Sequence, residues 1–297
     1  MLHRFIHRAY VSGIMKEHVS TGSVSFDFTG KSVIITGAAR GIGRSMVKYF
    51  VQSGANVVAA DRDAEGLFET CISLGDRAVA VVADISTEEG TKDIVNEAVY
   101  RYGGLNVCVN NAAVAPHTAL MEERVLVWDR IYAVNCRGTF LMTQAAAQAM
   151  IKSRKGGRII NFSSAAAKRG SPGGAAYASS RAAVEAFTRV AAIELAPHNI
   201  LVNTVSPGLI DTQPKPLPDI MAEGLRNRIP NLPLARPGKP EEVVSVVLFL
   251  ASEASSYING AVISIDGGAS VGTRFTKRVV DDDPRYFWVT NQEKNRR

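Results

Sequence analysis

The chain has few cysteines and no long apolar run, and both absences narrow its class. Three cysteines occur in 297 residues, Cys71, Cys108 and Cys136, and none has a Cys-x-x-Cys partner. An odd number of widely spaced thiols argues against a disulfide framework and favours buried, reduced thiols in a reducing compartment. The longest apolar stretch, Val243–Ala251, is far shorter than the roughly 18 residues that a membrane span needs. We therefore expect a cytoplasmic protein that does not enter a membrane.

The excess of positive charge lies mostly at the ends of the chain. The formal net charge is +6, and residues 271–297 hold seven Lys/Arg against four acids, a charge of +3. No basic stripe with interleaved aromatic residues runs through the central part, as a nucleic-acid surface would require. We predict a solvated basic C-terminal tail over residues 271–297 and no nucleic-acid partner; a contact with nucleic acid through this tail is the weaker alternative.

Residues 1–25 form a separate N-terminal extension. The first fifteen residues contain Arg4 and Arg8, no acid and scattered apolar residues. Mitochondrial transit peptides share this composition, but a disordered extension, or a true start at Met15, explains it as well. The mitochondrial matrix therefore stays open as a second compartment.

Between Lys31 and Ser270, short apolar runs alternate with helical patterns. The predicted strands are Ser32–Thr36, Asn56–Ala60, Arg77–Ala83, Leu105–Asn110, Arg158–Phe162, Leu201–Val205 and Ala261–Ile265. The predicted helices are Gly41–Ser53, Ala64–Ser73, Thr87–Tyr102, Glu123–Lys152, Ala175–Ala196 and Pro240–Ala251. Continuous apolar strands separated by helices indicate a parallel sheet covered on both faces. We predict one α/β domain over residues 26–270 with a doubly wound, seven-stranded parallel sheet.

Residues 209–237 interrupt this alternation. The segment contains Pro214, Pro216, Pro218, Pro230, Pro233 and Pro237. A long irregular insertion in a compact domain is typically a lid or a binding loop. Its apolar residues favour an apolar or alicyclic substrate.

The first predicted strand runs into a glycine-rich turn at Thr36–Gly43. Gly37, Gly41 and Gly43 permit a tight turn, a close approach to a pyrophosphate, and close packing of helix on strand. The following helix N-terminus offers N–H groups and a positive dipole end to phosphate. With a strand before it and a helix after it, this turn predicts a dinucleotide site.

Acids at two strand ends bear on the choice of dinucleotide. Asp61 ends the second strand, eighteen residues past Gly43. A carboxylate there accepts hydrogen bonds from the adenosine ribose and repels a 2′-phosphate, which favours NAD. Arg40 and Arg62 are cations that would pair with that phosphate, so NADP stays open. Asp84 ends the third strand, where it either contacts the adenine edge or caps the following turn.

A second group of residues has acid/base chemistry. Tyr177 and Arg181 share one helix face at the i, i+4 spacing. A cation beside a phenol favours the phenolate, which otherwise forms near pH ~10. Tyr177 thereby becomes a usable acid/base, and Ser164, thirteen residues upstream, is placed to hold a carbonyl or alcohol. Asn135 lies among apolar helical residues; a buried asparagine bonded to backbone is the alternative to a catalytic role.

Taken in order, these motifs make the chain resemble the short-chain dehydrogenase/reductase family. The resemblance covers about Lys31 to Ser270 and rests on Thr36–Gly43, Asn110-Asn111-Ala112, Asn135, Ser164, Tyr177, Pro207-Gly208 and Asp266-Gly267-Gly268. It implies a Rossmann-like domain that transfers hydride between NAD(P) and a secondary alcohol or ketone. It also implies a homodimer or homotetramer, and leaves ketoacyl, sugar and steroid substrates open.

The resemblance implies a role for each site residue. Tyr177 resembles the general acid/base, Ser164 the residue that bonds the substrate oxygen, and Asn135 the residue that holds a water in a proton relay. Thr212 matches the position that binds the nicotinamide carboxamide, and Ile210 touches the same end. The candidate cofactor-binding residues are Gly37, Arg40, Gly41, Ile42, Gly43, Asp61, Asp84, Asn111, Tyr177, Arg181, Pro207, Gly208, Ile210 and Thr212. No metal is expected.

Arg181 departs from the family pattern, which has lysine. That lysine holds the nicotinamide ribose, lowers the tyrosine pKa and passes protons onward. Arginine has the charge and the donors for the first two tasks, but it does not release a proton in proteins. The alternative is therefore a catalytically impaired dinucleotide-binding protein acting as a regulator or scaffold. His117, in the loop after the fourth strand, either faces the substrate pocket or lies on the surface.

Overall fold

A computed structural model describes residues 25–212 and 219–274, with backbone alone at 219–221. Seven parallel strands form one sheet in the order β3-β2-β1-β4-β5-β6-β7. The strands are β1 (Ser32–Thr36), β2 (Asn56–Asp61), β3 (Ala78–Val82), β4 (Val107–Asn110), β5 (Gly157–Phe162), β6 (Ile200–Pro207) and β7 (Val262–Ile265). This confirms the predicted doubly wound sheet. The strand order reverses between β1 and β4, and ligands of such sheets bind in the crevice at the carboxyl ends there.

Helices cover both faces of the sheet. They are α1 (Gly41–Gln52), α2 (Ala64–Ile72), α3 (Glu88–Tyr102), α4 (Val125–Tyr132), α5 (Thr139–Ser153), α6 (Ala175–Leu195), α7 (Asp219–Arg228) and α8 (Pro240–Ala251). One apolar core lies between the sheet and α1 with α8, and a second lies between the sheet and α3, α5 and α6. In the part of the chain that the structure describes, no helix is long and apolar enough to span a membrane.

The prediction of one helix over Glu123–Lys152 is wrong in part: the chain is helical without a break from Val125 to Ser153, but not as one regular α-helix. The helix begins at Val125, and a π-helix, Ala133–Gly138, separates α4 from α5. A π-turn widens the helix locally, which apolar spacing in the sequence does not reveal. Gly138 suits the tight fit there, because an added Cβ would lie 2.8 Å from the Cδ1 of Ile85.

The thiols follow the prediction in part. Cys71 and Cys108 are buried free thiols, whereas Cys136, in the π-helix, is half-buried. Burial raises the pKa of the Cys108 thiol to about 12. Cys108 therefore stays protonated and packs as a small apolar side chain.

The prediction that residues 209–237 are irregular is also wrong in part. Helix α7 and a 3₁₀ turn, Ile229–Asn231, occupy the middle of this segment. No proline occurs between Asp219 and Ile229, so nothing in the sequence prevents the helix there. Residues 213–218 lie outside the described residues, as do most of the predicted N-terminal extension (1–24) and basic tail (275–297).

A row of buried polar side chains, here called the polar rung, crosses the sheet near its carboxyl edge. The amide of Asn110 donates to Asn161 Oδ1 at 2.8 Å and to Thr143 Oγ1 at 3.1 Å. The amide of Asn161 donates to Thr188 Oγ1 at 2.9 Å, and Thr204 Oγ1 donates to the same oxygen at 2.8 Å. These hydrogen bonds join β4, β5 and β6 to α5 and α6.

Candidate active site

The glycine turn after β1 is closely packed. Gly37 has φ +69°, and an added Cβ would lie 2.7 Å from the Cα of Ala112. A Cβ at Gly43 would lie 1.9 Å from the carbonyl oxygen of Gly37. Arg40, the N-cap of α1, makes no side-chain capping bond among the described residues. The first N–H groups of α1 therefore remain available to an anion.

Asn111 holds this turn against the end of β4. Its amide donates to the carbonyl of Thr36 at 2.9 Å and to that of Gly37 at 3.1 Å. The hydroxyl of Thr36 accepts from the backbone N–H groups of Asn111 and Ala112, each at 3.1 Å. These bonds set the glycine turn and the fourth strand end at a fixed separation.

A cleft of about 480 Å³ opens above the carboxyl ends of the first four strands. It brings together Gly37, Arg40, Gly41, Ile42, Gly43, Asp61, Asp84, Asn111 and Thr212 of the predicted cofactor residues. Pro207, Gly208, Ile210, Tyr177 and Arg181 are not in its lining. Pro207 ends β6, and Ile210 pairs with Gly238. Thr212, near the start of the 209–237 segment, lines the cleft and approaches Gly41: a Cβ added at Gly41 would lie 3.3 Å from the Cβ of Thr212.

Asp61 is held at the end of β2 by backbone donors. Its Oδ2 accepts from the N–H of Ala39 at 3.0 Å, and its Oδ1 from that of Asp63 at 3.1 Å. Each oxygen keeps acceptor capacity toward the cleft. Arg40 and Arg62 are exposed at the same cleft. The carboxylate of Asp61 and two cations therefore lie together at this end of the cleft.

Asp84 caps the turn that follows β3. Its Oδ1 accepts from the N–H of Ser86 at 2.9 Å, its Oδ2 pairs with Arg130 Nη2 at 3.0 Å, and Arg62 Nη1 is 3.8 Å away. Burial disfavours the charged carboxylate, but the Ser86 hydrogen bonds and the Arg130 ion pair outweigh it and hold the Asp84 pKa at about 2. Arg130 was missed by the sequence analysis, because its partner lies 46 residues away and no local pattern marks the pair.

Tyr177 stands in the first turn of α6, beside Ser164 and Arg181. Ser164 lies two residues past the end of β5, and its Oγ accepts from the N–H of Ala166 at 3.2 Å. Burial opposes ionisation of Tyr177, but the charge of Arg181, with hydrogen bonding to Ser164 and Arg181, outweighs it. The pKa of Tyr177 therefore lies below its usual value. The predicted trio is brought together at one point of the carboxyl edge.

Arg181 is a buried cation with one unpaired hydrogen-bond donor. Its side chain is 3% exposed, and its Nη1 donates to the carbonyl of Phe162 at 2.8 Å. Its Nε is buried and has no hydrogen-bond partner among the described residues. A buried unpaired donor is costly, so an acceptor from outside these residues would stabilise the site.

Asn135 is fully buried in the π-helix and is bonded on three sides. Its Oδ1 accepts from the N–H of Val114 at 2.9 Å, and its Nδ2 donates to the Val114 carbonyl at 2.9 Å and to Ser180 Oγ at 3.2 Å. Ser180 Oγ in turn donates to the Tyr177 carbonyl at 2.8 Å. Asn135 therefore ties the loop after β4 to α6. It is bonded to backbone, as the alternative in the sequence analysis expected. Ser180 was missed there, although a serine three residues after Tyr177 matches a back-bonding hydroxyl.

His117 lies beside Tyr177, with 6.5 Å between the ring centroids and 37° between the ring planes. Its Nδ1 is 3.1 Å from the carbonyl oxygen of Ala115. The His117 side chain is exposed. His117 therefore lies at the surface and also next to the phenol of Tyr177. Sequence spacing gave no means of choosing between these two positions.

Comparison with known proteins agrees with this geometry. A family model described as enoyl-(acyl carrier protein) reductase matches residues 37–270. The chain is 41% identical to the 3-oxoacyl-(acyl-carrier-protein) reductase of Thermotoga maritima over 243 residues, which is 80% of this chain and 97% of that protein. It is 34% identical to a sorbitol dehydrogenase of Cereibacter sphaeroides over 249 residues, again 80% and 97% of the two chains.

Solved structures agree as well. A short-chain type dehydrogenase/reductase from Mycobacterium marinum superposes with a TM-score of 0.78 at 35% identity, covering 83% of this chain and 98% of that one. The chain belongs to the short-chain dehydrogenase/reductase family. It is an NAD(P)-dependent oxidoreductase of that family, as the motifs predicted.

Proposed function

We propose that the chain transfers a hydride between NAD and a secondary alcohol or the corresponding ketone, with Tyr177 as general acid/base. The observation that carries this proposal is the position of Tyr177 beside Ser164 and Arg181, with a lowered pKa. The relatives named above for an oxoacyl group and for sorbitol share a carbon that is either ketone or secondary alcohol. We therefore propose the substrate class, a secondary alcohol or ketone, and no particular compound.

The residues of the cleft fit a dinucleotide. The uncapped N-terminus of α1 suits the pyrophosphate, and the carboxylate of Asp61 suits the ribose hydroxyls of NAD better than a 2′-phosphate. The guanidinium of Arg181, whose Nε has no hydrogen-bond partner among the described residues, is proposed to hold the nicotinamide ribose. Thr212 and Ile210, with Pro207 and Gly208, would hold the nicotinamide end. When bound, the nicotinamide supplies the hydride chemistry.

The side chains around Tyr177 would move the proton. In the oxidation direction Tyr177, as phenolate, takes the proton of the substrate hydroxyl while Ser164 holds the same oxygen; in reduction Tyr177 returns it. Arg181 stabilises the phenolate by its charge but does not release a proton itself. Asn135 keeps acceptor capacity at Oδ1, which supports its proposed part in holding a relay water.

We also propose a homodimer or homotetramer that pairs through α4, α5 and α6. Exposed apolar side chains on these helices support it: Val125, Leu126, Phe140, Val190 and Ile193 are 42–76% exposed. Light scattering on the purified chain measures the assembly directly.

A second candidate function is a dinucleotide-binding regulator without turnover. Arg181 favours it, because the lysine that passes protons in the family pattern is replaced. The two candidates differ in what Tyr177 does: it is essential in the first and dispensable in the second.

The test is turnover of NAD with a panel of secondary alcohols, followed by Tyr177→Phe. We expect kcat to fall by ~10²–10⁴-fold in this variant, with NADH binding retained. Tyr100→Phe, on the exposed face of α3, is the matched control and should retain activity. If NADH binds tightly but neither the natural chain nor Arg181→Lys turns over any alcohol, the regulator is favoured instead.

A further inference from the structure

The loop that carries His117 is fixed to the turn that leads into the catalytic helix. The N–H of Thr118 donates to the carbonyl of Gly173 at 3.0 Å. Gly173 has φ +74° and stands four residues before Tyr177; an added Cβ would lie 3.5 Å from the Cβ of His117. The separation between the His117 and Tyr177 rings is therefore set by a short path of backbone contacts.

One nitrogen of the His117 imidazole has a hydrogen-bond partner. Its Nδ1 faces the carbonyl oxygen of Ala115 at 3.1 Å. A carbonyl oxygen only accepts, so this contact places the proton on Nδ1. In the neutral ring Nε2 is then a hydrogen-bond acceptor, on an exposed side chain beside the reacting phenol.

The other polar groups at Tyr177 already have proposed tasks. Ser164 holds the reacting oxygen, and Arg181 is buried against the phenol and the Phe162 carbonyl. The turn after Ser164 offers three alanines, Ala165–Ala167, which bring no side-chain hydrogen bond. His117 is thus a polar side chain beside Tyr177 with an acceptor available.

We propose that His117 is a specificity-determining residue that accepts a hydrogen bond from a substrate hydroxyl on the carbon next to the reacting one. This inference rests on the proposed function and refines it. The preferred substrates would be vicinal diols and their α-hydroxy ketones, a class more polar than the apolar residues of the lid segment suggested. A substrate with only hydrocarbon beside the reacting carbon gains nothing from Nε2.

The experiment compares two substrates that differ by one hydroxyl, trans-cyclohexane-1,2-diol and cyclohexanol, with NAD. We expect the natural chain to prefer the diol. His117→Phe keeps a flat ring without an acceptor, and should lower kcat/KM for the diol about tenfold while changing that for cyclohexanol less than about threefold. His117→Gln restores an acceptor and should recover part of the loss. His198→Phe, exposed before β6 at the opposite end of the sheet, is the control.

The outcomes separate this inference from the function on which it rests. If the natural chain turns over cyclohexanol, three results would overturn the role of His117 alone. These are an equal fall in kcat/KM for both substrates in His117→Phe, no fall for either substrate, and a natural chain that prefers cyclohexanol. No turnover of any secondary alcohol, by the natural chain or by Arg181→Lys, overturns both proposals.

Discussion

The guanidinium of Arg181 lies over the ring of Tyr177, with its Cζ 5.3 Å from the ring centroid. The two residues are one helical turn apart, and the cation is held from its far side by the carbonyl of Phe162. The geometry therefore places a permanent positive charge against the phenol in a buried setting, where electrostatic interactions are strong.

The first prediction concerns the pH dependence that this charge sets. Alcohol oxidation requires the Tyr177 phenolate, so kcat/KM should rise with pH through the Tyr177 pKa. Arg181→Met removes the cation and raises that pKa, so the rising limb should move to higher pH. Arg181→Lys keeps a charge and should move it less. Arg189→Met, exposed two turns further along α6, should leave the limb in place. A limb unmoved in Arg181→Met would show that Arg181 does not tune Tyr177.

The second prediction concerns Ser180, a positioning residue between Asn135 and Tyr177. Ser180→Ala takes a partner from the buried amide of Asn135, which should cost about 1–3 kcal/mol in unfolding free energy. We expect kcat to fall about tenfold with NADH affinity nearly unchanged, because Ser180 does not line the cleft. Ser179→Ala is the neighbouring control, since its hydroxyl bonds only to carbonyls of its own helix. Equal effects of the two variants on kcat would argue against this role.

The third prediction concerns the choice of cofactor. Asp61→Asn keeps an acceptor oxygen for the Ala39 N–H and removes the charge that repels a 2′-phosphate. The ratio of kcat/KM with NAD to that with NADP should fall at least about tenfold, because Arg40 and Arg62 remain. Glu65→Gln, an exposed change nearby in α2, should leave the ratio unchanged. A natural chain that already prefers NADP would contradict the choice of NAD.

The fourth prediction concerns the Asp84–Arg130 pair. The pKa of Asp84 in the folded chain, about 2, lies below its unfolded value, so the pair stabilises the fold above about pH 4 and loses this effect as pH falls toward about 2. Arg130→Met should therefore lower the unfolding free energy at pH 7 by about 1 kcal/mol, a figure reduced for solvent screening. Urea unfolding at pH 7 and pH 3 measures this.

Arg124→Met, exposed just before α4, is the control for that measurement. The difference between Arg130→Met and the natural chain should narrow at pH 3. A difference that is as large at pH 3 as at pH 7 would show that Arg130 acts by packing rather than by charge.

The sequence predicted the sheet because its five inner strands are buried on both faces and read as apolar runs. The glycine turn, Asp61, Ser164 and Tyr177 were found because their spacing is local. Contacts across the fold were not predictable in this way: Arg130 reaches Asp84 from a distant helix, and the direction of His117 depends on the Gly173 turn. The π-helix at Asn135 escaped because one extra residue in a turn leaves no mark in apolar periodicity.

The polar rung has a consequence for the register of the sheet. Side-chain direction alternates along a strand, so a slip of one residue between β5 and β6 would turn Thr204 away from Thr188 and into the apolar layer under α1 and α8. Such a slip would leave the buried hydroxyl of Thr204 without its partner and is strongly disfavoured. Hydrogen bonds between buried side chains thus fix the register of the strands that lead to Asn111, Ser164 and Gly208. The alignment of the reacting groups is fixed below the cleft, by residues that touch neither cofactor nor substrate.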